Sequence, residues 1–457
     1  MLYFYTSELQ LNRYNAPMKL INDLLKYIFL INIALFISAC GGDSKDKKPE
    51  QFVNAVNIKN YGAIGDGIQD DTQAFKAAFS QESSLLIPEG QFRVSQALLI
   101  PKTLQVITGT GTLVGTSPQG ILKTDITSKG INKLTINGIT FQYQPSTDTN
   151  IGAIYFNDSS ARNLTIQNSH FTALSNAKWG NAITLVGKKG HHVDNIKITN
   201  NTFSNITRAG IEILVRGKNK TKSTDFPDWP AVYFDDTIVS NITISDNTFK
   251  HTRGIYYAAN REVFNPAISL SGAVNATLIK GNKIDGLYWG IELDGSTKTK
   301  VTNNTISTKH SAISISHGSD TNANSTFIEG NTITSAQKND IYVINAHEAR
   351  SITIDNNSIT GLVYLRQTDN FILKNNKLYS KLYTNLVIEN ASNTKVTNNY
   401  LENINPTSNG SVSGKGNSDN SNKITKNRIY VETGNHLTNL SGSSIIFENN
   451  THLSSPQ

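Results

Sequence analysis

From about residue 130 onward the chain repeats one short unit, apolar-x-apolar-x-Asn-Asn-x-apolar, and few folds can accommodate it. It reads Ile196-Lys-Ile-Thr-Asn-Asn-Thr-Phe203, Ile242-Thr-Ile-Ser-Asp-Asn-Thr-Phe249 and Ile352-Thr-Ile-Asp-Asn-Asn-Ser-Ile359. The second Asn recurs at 201, 247, 282, 304, 331, 357, 376, 399, 427 and 450, in steps of 46, 35, 22, 27, 26, 19, 23, 28 and 23. A period in the twenties with two-residue alternation is one turn of a solenoid of short strands. Asn suits the corner because it tolerates the left-handed conformation and its amide can bond the next Asn in a ladder. The many Asn-x-Ser/Thr triplets are then structural.

A further strand follows each unit: Ala182-Ile-Thr-Leu-Val, Gly210-Ile-Glu-Ile-Leu, Ala267-Ile-Ser-Leu-Ser, Gly290-Ile-Glu-Leu-Asp, Ala312-Ile-Ser-Ile-Ser, Asp340-Ile-Tyr-Val-Ile and Leu362-Val-Tyr-Leu-Arg. Ile and Leu alternate inward, so the residues between them are expected to face solvent. One outward column reads Thr184, Glu212, Ser269, Glu292, Ser314, Tyr342, Tyr364, and a second reads Val186, Leu214, Ser271, Asp294, Ser316, Ile344, Arg366. At 457 residues two or three domains are the default, but each solenoid repeat packs only on its neighbours, so residues 53–457 are expected to form one β-helix.

Residues 1–39 read as an export signal. An apolar run, Tyr27–Ile37, follows Lys19 and Lys26 and is short for a membrane span. Met18 fits the start of translation, since residues 1–17 put an Arg and a Glu ahead of a complete signal. Ile37-Ser38-Ala39-Cys40 resembles the bacterial lipobox, which implies lipidation of Cys40, and the following Gly41 implies the outer membrane. Residues 40–52 form a polar tether. Cys40 is the sole cysteine, so no intrachain disulfide exists. The net charge of +7 is spread without a dense Lys/Arg block; it fits an acidic polymer and gives no footprint for nucleic acid.

The stretch Val56 to Thr72 joins a short strand to a Gly-rich turn at Gly62, Gly65 and Gly67, after which Asp70, Asp71 or Thr72 can cap a helix through Gln73–Phe79. It resembles the opening of the pectate-lyase-like superfamily, as do Leu85–Gly90 and Gly109–Gly115. The resemblance implies an all-β chain, a single right-handed parallel β-helix with a short N-terminal capping helix inside a cap of residues 53–100. Cap chemistry accounts for the acidic run better than catalysis or calcium.

Chemistry is expected on the later strand of each coil, where carboxylates, tyrosines and an arginine fall in columns beside two insertions. Residues 216–240 hold Arg216, Asp225, Asp228, Trp229, Tyr233, Asp235 and Asp236; residues 251–266 hold His251, Arg253, Tyr256, Tyr257, Arg261 and Glu262. Both can wall one groove, and Trp, Tyr and Arg suit sugar faces and uronate carboxylates. Arg216, Trp229, Tyr233, Arg253, Tyr256, Tyr257, Arg261, Tyr342, Tyr364 and Arg366 are the candidate substrate contacts. Glu292 and Asp294 point one way from one strand with Cα atoms ~6.6 Å apart, and Glu212 lies two coils off at ~10 Å. Such a cluster can split carboxyl pKa values into an acid and a base for glycoside hydrolysis.

Ser316-His317-Gly318 lies one coil beyond Asp294 and is similar to the Gly-His-Gly of polygalacturonases; their Asn-Thr-Asp, Asp-Asp and Arg-Ile-Lys signatures are missing. The first reading is therefore hydrolysis of an acidic polysaccharide by Glu292 and Asp294 with support from Glu212 and His317, and with no cofactor. A second is a polysaccharide lyase, in which Arg216, Arg253, Arg261, Tyr256, His251, Tyr342 or Arg366 serve elimination and Glu212, Glu292 and Asp294 are open to Ca²⁺. A third is a surface carbohydrate binder or adhesin. Zinc spacings, nucleotide loops and a nucleophile elbow are absent from the sequence, and oligomeric state is left open.

Overall fold

A computed structural model describes residues 54–457 apart from 125–129, 148, 150, 158, 174–179, 217–237, 251–265, 318–323, 336–341, 382–383, 405–410, 417–420, 433–436 and 440–443. The unit Asn54–Gln457 is a parallel β-helix. Among the described residues its strands form two 15-stranded sheets and one 13-stranded sheet, every pairing between coils being parallel. In one coil, Val193–Thr199 belongs to the first sheet, Thr202–Ser204 to the second and Ile211–Arg216 to the third.

Apolar residues stack inside by type. Phe141, Phe171, Phe203 and Phe249 lie on successive coils, their rings nearly parallel at centroid separations of 4.9, 5.0 and 4.5 Å. All four are buried, as are the Ile and Leu of the third sheet, including Ile211, Ile213, Ile291 and Leu293. A coil of short strands cannot enclose a core alone, so this burial exists only through stacking.

The Asn-Asn corner divides between two residues the two tasks that the repeat suggests for one Asn. The first position takes the left-handed conformation (Asn200, Asp246, Asn303, Asn356, with Gly281 and Gly330 substituting) at φ between 53° and 66°. The second position makes the ladder. Asn282 Nδ2 donates to Asn304 Oδ1 at 2.9 Å and to the Ile244 carbonyl at 2.9 Å, while its Oδ1 accepts from the Asn247 main-chain N–H at 3.0 Å. The same bonds run from Asn201 to Asn450, through amides that are buried as far as Asn427.

Near the N-terminus, Thr72–Gln81 is helical and buries Phe75, Ala78 and Phe79, with Phe75 edge-on to Phe92. Asp71 sits at the helix start but makes no capping bond; its carboxylate accepts from the N–H groups of Ile64 (2.7 Å) and Gly65 (3.3 Å) and pins the Gly-rich turn. Asp70 instead accepts from the Thr72 N–H at 3.1 Å. Gly65 has φ +73°, and a Cβ there would lie 2.7 Å from the Phe92 ring, so the turn requires glycine.

Candidate active site

The register of the third sheet sets the geometry. Thr184, Glu212, Ser269, Glu292 and Ser314 pair directly from coil to coil, in one file on the outward side. Leu214, Ser271, Asp294 and Ser316 form the second file. A serine separates Glu212 from Glu292 and stands on either side of Asp294, so no two carboxylates are immediate cross-strand neighbours, a placement that limits like-charge repulsion.

On the coil after Ser314 the expected members, Tyr342 and Ile344, are off by three residues, while Tyr364 and Arg366 fall where expected. Ser314 pairs with Asn345 and then Tyr364, and Ser316 with His347 and then Arg366; the register shifts between Tyr342 and Ile344. Ile344 and Ala346 are the inward pair there. Tyr342 leaves the file, yet its ring stacks on that of Tyr364 at 4.4 Å and 18°.

The expectation of solvent-facing carboxylates also fails. Glu212 is 8% exposed, Glu292 7% and Asp294 2%. On the same outward side Tyr155, Val186 and Leu214 form an apolar cluster separate from the interior core. Pointing away from the core therefore does not mean pointing into water on these coils.

Each buried acid is met differently. Arg208 Nη1 lies 2.9 Å from Glu212 Oε1, and Asn181 Nδ2 donates to Glu212 Oε2 at 2.8 Å. Arg208 also donates to Asn181 Oδ1 at 3.0 Å, which closes the triangle. Asp294 Oδ1 accepts from Ser316 Oγ at 3.0 Å and from His317 Nδ1. Among the described residues Glu292 accepts a hydrogen bond from the Ser269 hydroxyl alone, at 2.6 Å. Burial, reinforced by the charge of Asp294, pushes its carboxyl up to about 8; Ser269 and Arg208 pull it down and Glu212 pushes it further up. His317 is raised above the usual imidazole value, mainly by its hydrogen bond to Asp294. The result is a raised carboxyl two residues from Asp294, which a hydroxyl and an imidazole hold.

These donors fit calcium poorly. Both oxygens of Glu212 are engaged by Arg208 and Asn181, and Asp294 Oδ1 by Ser316 and His317. Among the described residues no group of three or more His, Cys, Asp or Glu is placed to hold a metal.

Of the expected substrate contacts, Trp229, Tyr233, Arg253, Tyr256, Tyr257 and Arg261 lie outside the described residues, as do Cys40 and Gly318. The Arg216 backbone ends the strand Ile211–Arg216 opposite Lys188. Arg208 and Asn181 escaped the sequence reading, although an Arg four residues before Glu212 was a visible signal. So did Trp289, which opens the strand carrying Glu292 and Asp294 and packs with Tyr288 against His310, at centroid distances of 4.7 Å for Trp289 and 5.0 Å for Tyr288.

A solenoid of stacked parallel sheets whose outward face carries buried acids defines the class, a parallel β-helix protein. The description "Right handed beta helix region" matches residues 190–326 and 289–452, more than half of the chain, and the chain belongs to that family. Over 56 residues it is 46% identical to the pre-neck appendage protein of Bacillus phage B103, a stretch that is 12% of this chain and only 6% of the phage protein. A tailspike protein mutant of E. coli bacteriophage HK620, solved in complex with a hexasaccharide, is similar in fold; identity is 11%, the TM-score is 0.52, and the match covers 86% of this chain and 78% of that one. An exopolygalacturonase from Thermotoga maritima matches with 13% identity and a TM-score of 0.43, over 88% of this chain and 92% of that one.

Proposed function

We propose that the chain is a carbohydrate-active enzyme that hydrolyses glycosidic bonds of an acidic polysaccharide. Glu292 acts as proton donor to the leaving oxygen, and Asp294 as the ionised partner that activates water or attacks the sugar. The observation that carries this reading is the placement of two buried acids, Glu292 and Asp294, two residues apart on one strand with different partners, Ser269 for the first and Ser316 and His317 for the second. Burial pushes the Glu292 carboxyl up to about 8, and hydrolysis needs one carboxyl protonated and one ionised at the same pH. His317 and Ser316 orient Asp294 through their hydrogen bonds to its Oδ1. Glu212, neutralised by Arg208, tunes Glu292 from two coils away. In the same proposal Cys40 carries lipid and anchors the protein at the cell envelope, and the helix Thr72–Gln81 closes the N-terminal end of the solenoid.

A second reading, a non-catalytic surface binder, is favoured by one observation: the three acids are at most 8% exposed, and a binder needs no access to them. A panel of acidic glycans scored for reducing ends and for unsaturated ends separates the readings. Hydrolysis releases reducing ends alone, and Glu292→Gln then loses about 10²–10⁴-fold in rate, the usual worth of a positioned acid. Unsaturated ends would point to a lyase, and retention without either product to the binder. For the anchor, Cys40→Ser is expected to move the exported protein from the membrane fraction to the soluble one; unchanged fractionation would remove lipidation.

A further inference from the structure

We propose that the third sheet carries, three coils beyond Asp294, a subsite for the oxyanion of an acidic sugar, with Arg366 as its cation and the Tyr342–Tyr364 pair as its stacking wall. The inference rests on the proposed class of polymer but not on cleavage.

The corrected register creates the site. Asp294, Ser316, His347 and Arg366 are successive members of one file, which puts Arg366 ~14 Å from Asp294 along the solenoid axis. Over these coils the file changes character, from buried acids to an exposed arginine. The next residue in the file, Glu389, is the natural partner for Arg366, being its direct cross-strand neighbour. Instead Glu389 Oε2 accepts from the Tyr364 hydroxyl at 2.5 Å, and Glu389 Oε1 lies 3.6 Å from Lys415 Nζ. The Arg366 carbonyl accepts from the Glu348 N–H at 3.0 Å, whereas its exposed guanidinium makes no hydrogen bond or ion pair with another described residue. His347, one coil back, is held by Gln367 at 3.0 Å.

The chemistry of the occupant follows from these parts. A guanidinium fork matches a planar carboxylate bidentately and also takes a sulfate. Two half-buried tyrosine rings, locked face to face, offer a rigid apolar wall to a pyranose ring at low entropic cost. Tyr364 and Lys415 engage the two oxygens of the competing carboxylate, Glu389. An anionic sugar residue of a chain running along the third sheet fits all three features.

Affinity electrophoresis of the full chain through gels containing polygalacturonate, dextran sulfate or neutral dextran tests this. Wild type is expected to be retarded by at least one polyanion and not by dextran; polygalacturonate identifies a carboxylate as the ligand group, dextran sulfate alone a sulfate. Arg366→Gln should weaken retention about tenfold or more, the worth of a charged hydrogen-bonded contact. Tyr364→Phe keeps the ring but releases Glu389 toward Arg366, so it should also bind less well, and adding Glu389→Gln should restore retention. That rescue is not expected of a residue with a merely structural role. Retention is scored without any cleavage, so a failure of the hydrolytic reading leaves this result untouched. Equal retention of Arg366→Gln and wild type, retention on dextran, or no retention on either polyanion overturns the proposal.

Discussion

The Asn corner and the outward face of the third sheet are built alike, as files of polar side chains repeating once per coil, yet they behave as opposites. In the corner every member is the same amide, donor and acceptor at once, so each residue satisfies the next and the file is closed to other chemistry. On the third sheet the members differ. Glu212 is met by Arg208, Asp294 by His317, and Glu292 by one hydroxyl. Uniformity gives stability, whereas mixture leaves groups whose protonation the protein must set.

That contrast can be broken at either end. The largest effect is expected in the corner. Asn282→Ala removes the acceptor for a buried main-chain N–H and a side-chain N–H of Asn247, each costing about 1–3 kcal/mol, for a total of about 3–5 kcal/mol. Urea denaturation should show it against Thr305→Ala, an exposed position of the neighbouring strand. A midpoint shift no larger than that control would mean the ladder contributes little. A smaller effect is expected on the mixed file. Asp294→Asn takes away the principal group that raises the His317 pKa, so the His317 ring should titrate lower than in wild type, as followed by NMR of its ring protons. An unmoved titration would separate His317 from Asp294.

The repeat was legible because the second Asn and the inward Ile and Leu are spelled out in nearly every coil. Sequence reasoning also placed Glu212, Ser269, Glu292 and Ser314 in one file, which the pairing bears out. It misplaced Tyr342 and Ile344 because two apolar patterns overlap in Ile341-Tyr-Val-Ile-Asn-Ala-His347, and the true inward partner of Ile344 is the small Ala346. A stack accepts alanine where the neighbouring coils carry Ile or Leu, and a pattern of large residues overlooks it. Burial of the acids was illegible for another reason. Alternation along a strand reports which side of a sheet a residue occupies, not what lies over that side. The carboxyl shift of Glu292, which depends on that cover, could not be read from spacing.

The central claim is that Glu292 is held protonated at neutral pH, and the pH dependence of stability tests it most directly. A carboxyl raised from 4.5 to about 8 in the folded state keeps its proton there while the unfolded chain has lost it. Its contribution is therefore fully present below pH 4.5 and lost progressively as pH rises to about 8, then constant. Urea denaturation of wild type and Glu292→Gln across pH 4 to 9 should show wild type falling relative to the variant by about 3 kcal/mol between pH 4.5 and 7, with the difference levelling above pH 8. Parallel stability profiles across that window would mean Glu292 titrates as an ordinary carboxylate, and the acid/base pair would be lost with it.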